Sequence, residues 1–371
     1  MDSRLPAAFP SILASPVTLI HWMRRNLFSS PLQIVLTLLA LWIVYWSVLP
    51  FIRWALVEAT WRGESRGDCV AEGACWVFIR ARMGQFLYGF YPEPERWRVN
   101  VTFLLPGALG APLFLPGFKR KLGLAALLLF VYPVVATLLL AGGIPGLPRV
   151  ETSLWGGLTL TLVVAGVGIV ASFPLGIVLA LGRRSELPVI RALATAFIEF
   201  VRGVPLITIL FMASVMLPMF LPAGVNFDKL LRALVGVTLF AAAYMAEVVR
   251  GGLQAIPGGQ YEAAASLGLG YWKSMVLVVL PQALRVVIPG IVNTFIGLFK
   301  DTTLVLIVGL FDLLGIVQAA TTDPNWLGYT KEGYVFAGFV FWIFCFGMSR
   351  YSVHLEGRFR VDDKENRGLV R

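Results

Sequence analysis

The chain has 371 residues, 58% of them hydrophobic and only 14% charged, with a mean hydropathy of +0.78. A soluble domain carries about 25% charged residues; here the shortfall is concentrated in long uncharged runs, which excludes a soluble globular fold and points to an all-α, polytopic membrane protein. The net charge of +10 does not indicate nucleic acid as a partner, because Lys and Arg gather in loops that a membrane protein keeps in the cytosol.

Arg24 and Arg25 precede an uncharged run of membrane-spanning length, 33–52. It is longer than a usual signal-peptide core, so it reads as an uncleaved first span. Further spans are expected at about 101–117, 122–141, 155–180, 203–222, 231–249, 275–299 and 333–349, eight in all. Orientation follows from the basic loops. Arg24 and Arg25 put the N-terminus inside. Lys119-Arg120-Lys121, then Arg183, Arg184, Arg191 and Arg202, then Arg250 and Lys273 all fall inside after even numbers of crossings. The tail, with Arg350, Arg358, Arg360, Lys364, Arg367 and Arg371, is inside if the total is even. The ninth apolar run, 304–321, therefore should not cross; it is either re-entrant or lies on the outer side. Asp312 in its middle supports this, since a lipid-facing carboxylate is costly, and the segment should line an interior.

The loop 53–100 is then outside, although it carries seven arginines and six acidic residues. Within it Trp76, Ile79, Met83, Phe86, Leu87 and Phe90 share one helical face flanked by Arg80 and Arg82. This is the pattern of an interfacial amphipathic helix, with a short buried helix as the alternative. Cys69 and Cys75 can form a disulfide in an oxidising periplasm or remain free thiols. With His21, His354 and Cys345 they show no metal-ligand spacing, so no metal site is expected. Gly/Pro-rich 141–151 reads as an outer linker. Composition thus divides the chain into an N-terminal extension (1–150), a core (151–355) and a cytosolic tail (356–371).

The loop 250–274 joins two spans on the cytosolic side and is longer than a connector needs to be. Pro257 can open a helix, Glu262 to Ala265 favour one, and Gly268 can end it in a left-handed cap. A helix of about ten residues is expected outside the bilayer. The preceding "GGQ" (258–260) does not make it a nucleotide site: the chain contains no G-x-x-x-x-G-K-[ST] phosphate loop.

Glu262-Ala263-Ala264, Gly268 and then Val278-x-Leu280-Pro281 resemble the EAA loop of ABC importer permeases, EAA-x3-G-x9-I-x-LP, with Val in place of Ile. "FVRGVPLI" (200–207), "AYMAEVVRGGLQAIPGGQ" (243–260) and "LFKDTTLV" (298–305) resemble the polar amino-acid permeases of the histidine/glutamine type over about 150–355. "GACW" (73–76), "FYPEPERWR" (90–98) and three extra spans resemble the longer M-type permease of general L-amino-acid importers. The resemblance implies a five-helix type I importer core with a three-helix N-terminal extension. It implies an inner-membrane transport subunit without catalytic residues or a cofactor of its own. ATP and Mg would be bound by a separate ATPase dimer. The other implied partners are a second, homologous permease forming a heterodimer and a periplasmic amino-acid-binding protein.

On this reading Gln260, Glu262, Ala263, Ala264, Ser266, Leu267, Gly268 and Gly270 meet the ATPase. Lys300, Asp301, Thr302 and Thr303 sit at membrane depth, where Lys and Asp offer partners to both charges of a zwitterion; the alternative is a self-neutralising pair. Glu247, one turn from Arg250, and Arg202 gate or brace the loop. Arg202 is expected to pair with Glu199, three residues away on a helix. The methionines Met212, Met216 and Met219 read as packing. A secondary transporter would instead show matching broken spans in two inverted halves, and a membrane enzyme a converging set of catalytic side chains; neither pattern is seen.

Overall fold

The computed structural model describes residues 16–69, 72–114, 120–222 and 227–368. Lys119 and Arg371, used above for orientation, lie outside these, as do residues 115–117 of the second expected span. Every extended element among the described residues is a helix. Contacts divide the chain into residues 1–80 and 81–371; the division falls well before the expected boundary at 150.

The first unit holds α1 (Pro16–Asn26) and the apolar α2 (Pro31–Val57). Ser30 caps α2, its hydroxyl accepting from the Gln33 amide, and Pro31 occupies the first turn, where its missing N–H costs nothing. The loop after α2 is locally built. Cys69 and Cys75 are disulfide-bonded, with Cα atoms 5.5 Å apart. The Trp76 indole donates to the Ala55 carbonyl at 2.8 Å. The Asp68 carboxylate accepts from the Ser65 and Glu64 amides, which holds it below the usual carboxylate range.

The helix α3 (Trp76–Tyr88) corrects one expectation. Val77 and Phe78, which lie off the predicted apolar stripe, are as buried as Phe86 on it. The helix is enclosed by protein on several sides, not half-immersed in a membrane surface. Phe86 packs on Phe336 with ring centroids 5.3 Å apart, and Arg82 pairs with Asp323.

In the second unit α4 (Arg96–Gly110) is followed by α5 (Lys121–Ala141). The core then consists of α6 (Gly157–Arg183), α7 (Pro188–Gly203), α8 (Leu206–Phe220) and α9 (Lys229–Ala255). After it come a short helix α10 (Gly258–Ser266), α11 (Leu280–Val286), α12 (Ile288–Val308), α13 (Leu313–Thr321) and α14 (Thr330–Gly368). Among the described residues, six helices are long and apolar enough to cross a membrane, or seven if the bent pair α7–α8 counts as one span. The expectation was eight. The difference lies at α4, whose 15 α-helical residues fall short by themselves.

Prolines set two further boundaries. The expected span 275–299 is cut at Val287, ahead of Pro289 in the first turn of α12, so the crossing runs over 288–308 instead. Pro281 likewise begins α11. The α7–α8 pair bends by 105° at the break before Leu206, where Pro205 precedes the helix. The amphipathic α7 packs against α6 and α9, and α8 packs against α9.

α6 and α9 form the most extensive helix pair. The buried side of α9 is built from small residues, Ala233, Gly236, Ala241, Ala242, Ala243 and Ala246. Gly176 of α6 meets it so closely that a Cβ there would lie 2.6 Å from Met245. In lipid, where apolar burial gives no advantage over contact with acyl chains, such close backbone packing is what holds helices together.

The run 304–321 does not form a span of its own, since residues 304–308 belong to the end of α12. Its start completes α12 as a 3-10 turn, and α13 has nine residues, a rise of about 14 Å against a hydrocarbon core of about 30 Å. Asp312 is fully buried as expected, but it caps α13, accepting from the amides of Leu314 and Gly315 at 3.2 and 2.9 Å.

Candidate coupling site and charge cluster

The loop after α9 forms the expected helix, α10, with nine residues. Pro257 precedes it as the N-cap, one position earlier than expected. The C-terminal end is closed by a paired-bond turn. The Gly268 amide donates to the Ala265 carbonyl at 2.9 Å and the Leu269 amide to the Ala264 carbonyl at 3.1 Å. Gly268 sits at φ +74°, the left-handed conformation that this closure requires.

Most of the residues expected to meet a partner are presented outward. Gln260, Glu262, Ala263, Ser266, Gly268 and Gly270 are exposed, and Leu267 is 80% exposed. Glu262 has no ion-pair partner among the described residues. Ala264 is the exception: it is buried, on the side where α10 packs against the π-helical turn Met275–Val279, and is not part of the surface turned outward. Its small side chain lets the helix seat closely on its own protein.

Contacts of two α10 side chains, Gln260 and Tyr261, that sequence reasoning did not foresee fasten the helix to its neighbours. The Gln282 amide of α11 donates to the Gln260 side-chain oxygen at 3.0 Å. Tyr261 donates its hydroxyl to the Leu253 carbonyl at 3.3 Å and accepts from Arg184 at 3.2 Å.

Glu247 of α9 is the centre of a charge cluster. Its carboxylate lies 2.6 Å from Arg183, 2.9 Å from Arg250 and 3.6 Å from Arg202. The expected Glu199–Arg202 pair does not form. Glu199 binds Arg183 at 2.7 Å, and Arg202 turns to Glu247 and to the face of Tyr244, 5.4 Å from its centroid. Spacing along α7 offered the first pair; the C-terminal end of α6, 16 residues away in sequence, supplies a better one. The cluster ties the ends of α6, α7 and α9 together.

Lys300, Asp301, Thr302 and Thr303 lie near the end of the α-helical part of α12. A cavity of about 330 Å³ is lined by Asp301 with Leu206, Phe240, Tyr244, Asn293 and Thr294 among others. Lys300 is exposed and does not line it. Thr302 is buried and donates to the Phe299 carbonyl; Thr303 donates to that of Lys300. Both hydroxyls are engaged by their own helix, so of the four residues Asp301 is the one the cavity reaches.

Residues 172–361, which include α10, the Glu247 cluster and Asp301, match the family of binding-protein-dependent transport system inner membrane components. The chain belongs to that family. It is a permease component of a binding-protein-dependent transport system. Relatives extend the match to nearly the whole length. The inner membrane amino-acid ABC transporter permease protein YhdY of Escherichia coli K12 is 57% identical, over 92% of this chain and 93% of that protein. The glutamate/glutamine/aspartate/asparagine transport system permease protein BztC of Rhodobacter capsulatus is 43% identical, over 94% and 96%. The probable glutamine ABC transporter permease protein GlnP of Bacillus subtilis is 34% identical and matches 55% of this chain but 90% of its own length. The family thus contains permeases with and without a segment equivalent to the rest of this one.

Proposed function

We propose that this permease carries amino acids inward through the bacterial inner membrane, driven by ATP that a separate ATPase dimer binds with Mg and hydrolyses. The observation that carries this is the 57% identity to an amino-acid permease over nearly the whole of both chains, joined to a nine-residue helix that presents Glu262 and Leu267 to solvent. Gln260, Glu262, Ala263, Ser266, Leu267, Gly268 and Gly270 are the surface offered to the ATPase. A second, homologous permease completes the pathway as a heterodimer, and a periplasmic binding protein delivers the substrate. Both termini lie in the cytosol. Asp301, in its cavity, faces the substrate ammonium; Lys300 contributes to the field at the same depth, and Thr302 and Thr303 hold the helix end.

The test is ATP-driven uptake in proteoliposomes holding the chain with its co-purified partners. Glu262→Lys is expected to lower uptake at least about fivefold, a coupling loss of the usual size for communicating sites, while the chain still inserts and assembles. Amino-acid uptake that persists without any ATPase subunit would sink the proposal in favour of a secondary transporter.

A further inference from the structure

We infer that the C-terminal end of α6 is a brace through which α10 moves the cavity-lining helices, with Arg183, Arg184 and Tyr261 as positioning residues. The inference rests on the reading of α10 as the ATPase contact and adds the route by which its motion reaches the cavity.

The chain itself connects α10 only to α9 and to the turn before α11. α6 has no covalent share in the loop, and 77 residues separate Arg184 from Tyr261. Yet the Arg184 guanidinium lies 5.8 Å from the Tyr261 ring centroid and donates to its hydroxyl. That hydroxyl has one proton, and it goes to Leu253 at the end of α9. Tyr261 is thus held by two core helices through one oxygen, as donor to one and acceptor from the other.

The adjacent arginine reaches the other way. Arg183 binds Glu247 at 2.6 Å and Glu199 at 2.7 Å, taking in α9 and α7. Glu247 in turn holds Arg202, which covers Tyr244, and Tyr244 lines the cavity that Asp301 reaches. Consecutive arginines at one helix end, where the helix dipole favours cations, therefore join α10 on one side to the cavity wall on the other. Gly176 keeps α6 and α9 at close approach, so a displacement of the α6 end is shared with α9 and not absorbed between the two helices. A shift of α10 must either carry α6 with it or break the Arg184–Tyr261 contact.

The measurement is ATP hydrolysed per amino acid imported, in proteoliposomes of the complete transporter. Tyr261→Phe removes only the hydroxyl, and Arg184→Met only the charge and its donors. Each is expected to raise the ratio about fivefold or more, through lost uptake with hydrolysis continuing, and Arg184→Lys is expected to restore part of it. A purely structural role would lower both rates together through lost assembly and leave the ratio alone. An unchanged ratio in Tyr261→Phe overturns the brace, and this variant decides the matter if Arg184→Met does not assemble. A wild-type complex that imports no amino acid with ATP overturns the transport assignment itself, a failure visible before any variant is compared.

Discussion

At the scale of the residue, two neighbouring glycines near the C-terminal end of α9 have opposite meanings. A Cβ at Gly252 would lie 2.7 Å from the Ala283 carbonyl oxygen of α11, whereas one at Gly251 meets nothing within 4 Å. Gly252→Ala is therefore expected to lower stability by about 1–3 kcal/mol through overpacking. Gly251→Ala should be neutral or gain up to about 1 kcal/mol from helix propensity. Thermal unfolding of the two variants in detergent checks the difference, and equal midpoints would show that α9 and α11 do not touch there. Gly268 belongs to a third case. No side chain crowds it, so Gly268→Ala should cost only the left-handed backbone strain, roughly 1–2 kcal/mol, read as weakened coupling more than as lost stability.

At the scale of the element, α10 separates what its sequence announced from what it did not. Its existence, its exposed acidic residue and its glycine stop were legible, because capping chemistry and helix propensity are local. The inward turn of Ala264 was not, since "EAAAS" has three alanines and no apolar period to say which one faces the protein. The partners of Tyr261 and Glu247 were hidden for a related reason: Arg183 and Arg184 reach them from a helix end more than 60 residues away, and only folding brings them close. α3 misled in the opposite direction, because an apolar stripe looks the same whether lipid or protein covers it. The sidedness of α10 makes a paired expectation. Leu267→Asp should leave folding within about 0.5 kcal/mol of the parent, as exposed substitutions do, yet reduce capture of the ATPase in pull-down. Ala264→Asp should destabilise the permease by about 3–5 kcal/mol, the scale of an uncompensated buried charge. Reversed results would put the partner on the other face.

At the scale of the whole molecule, the basic loops call for an eighth crossing, which the length of α4 alone does not supply. The two ends of the α4–α5 segment lie together: Tyr91 donates to the Leu140 carbonyl at 2.8 Å, and Arg98 to that of Pro148 at 2.9 Å. Between them Tyr132 of α5 donates to the Thr102 carbonyl of α4 at 2.8 Å. The helices therefore run antiparallel as a hairpin, and where α5 crosses, α4 must run the other way beside it. α4 continues as a 3-10 turn to Phe114, and the two together rise about 30 Å, the thickness of the hydrocarbon core. Counted with the bent α7–α8 pair, a crossing there would bring the total to the eight expected from the sequence, an even number that would return the basic tail to the side of Arg24 and Arg25. Arg120, which directly precedes α5, is thereby expected on the cytosolic side. A single cysteine placed there (Arg120→Cys, with Cys69, Cys75 and Cys345 replaced by Ser) should resist a membrane-impermeant maleimide applied to spheroplasts and react in inverted vesicles. Labelling from the outside would mean that α4 turns back within the membrane, and the tail would then have to lie in the periplasm.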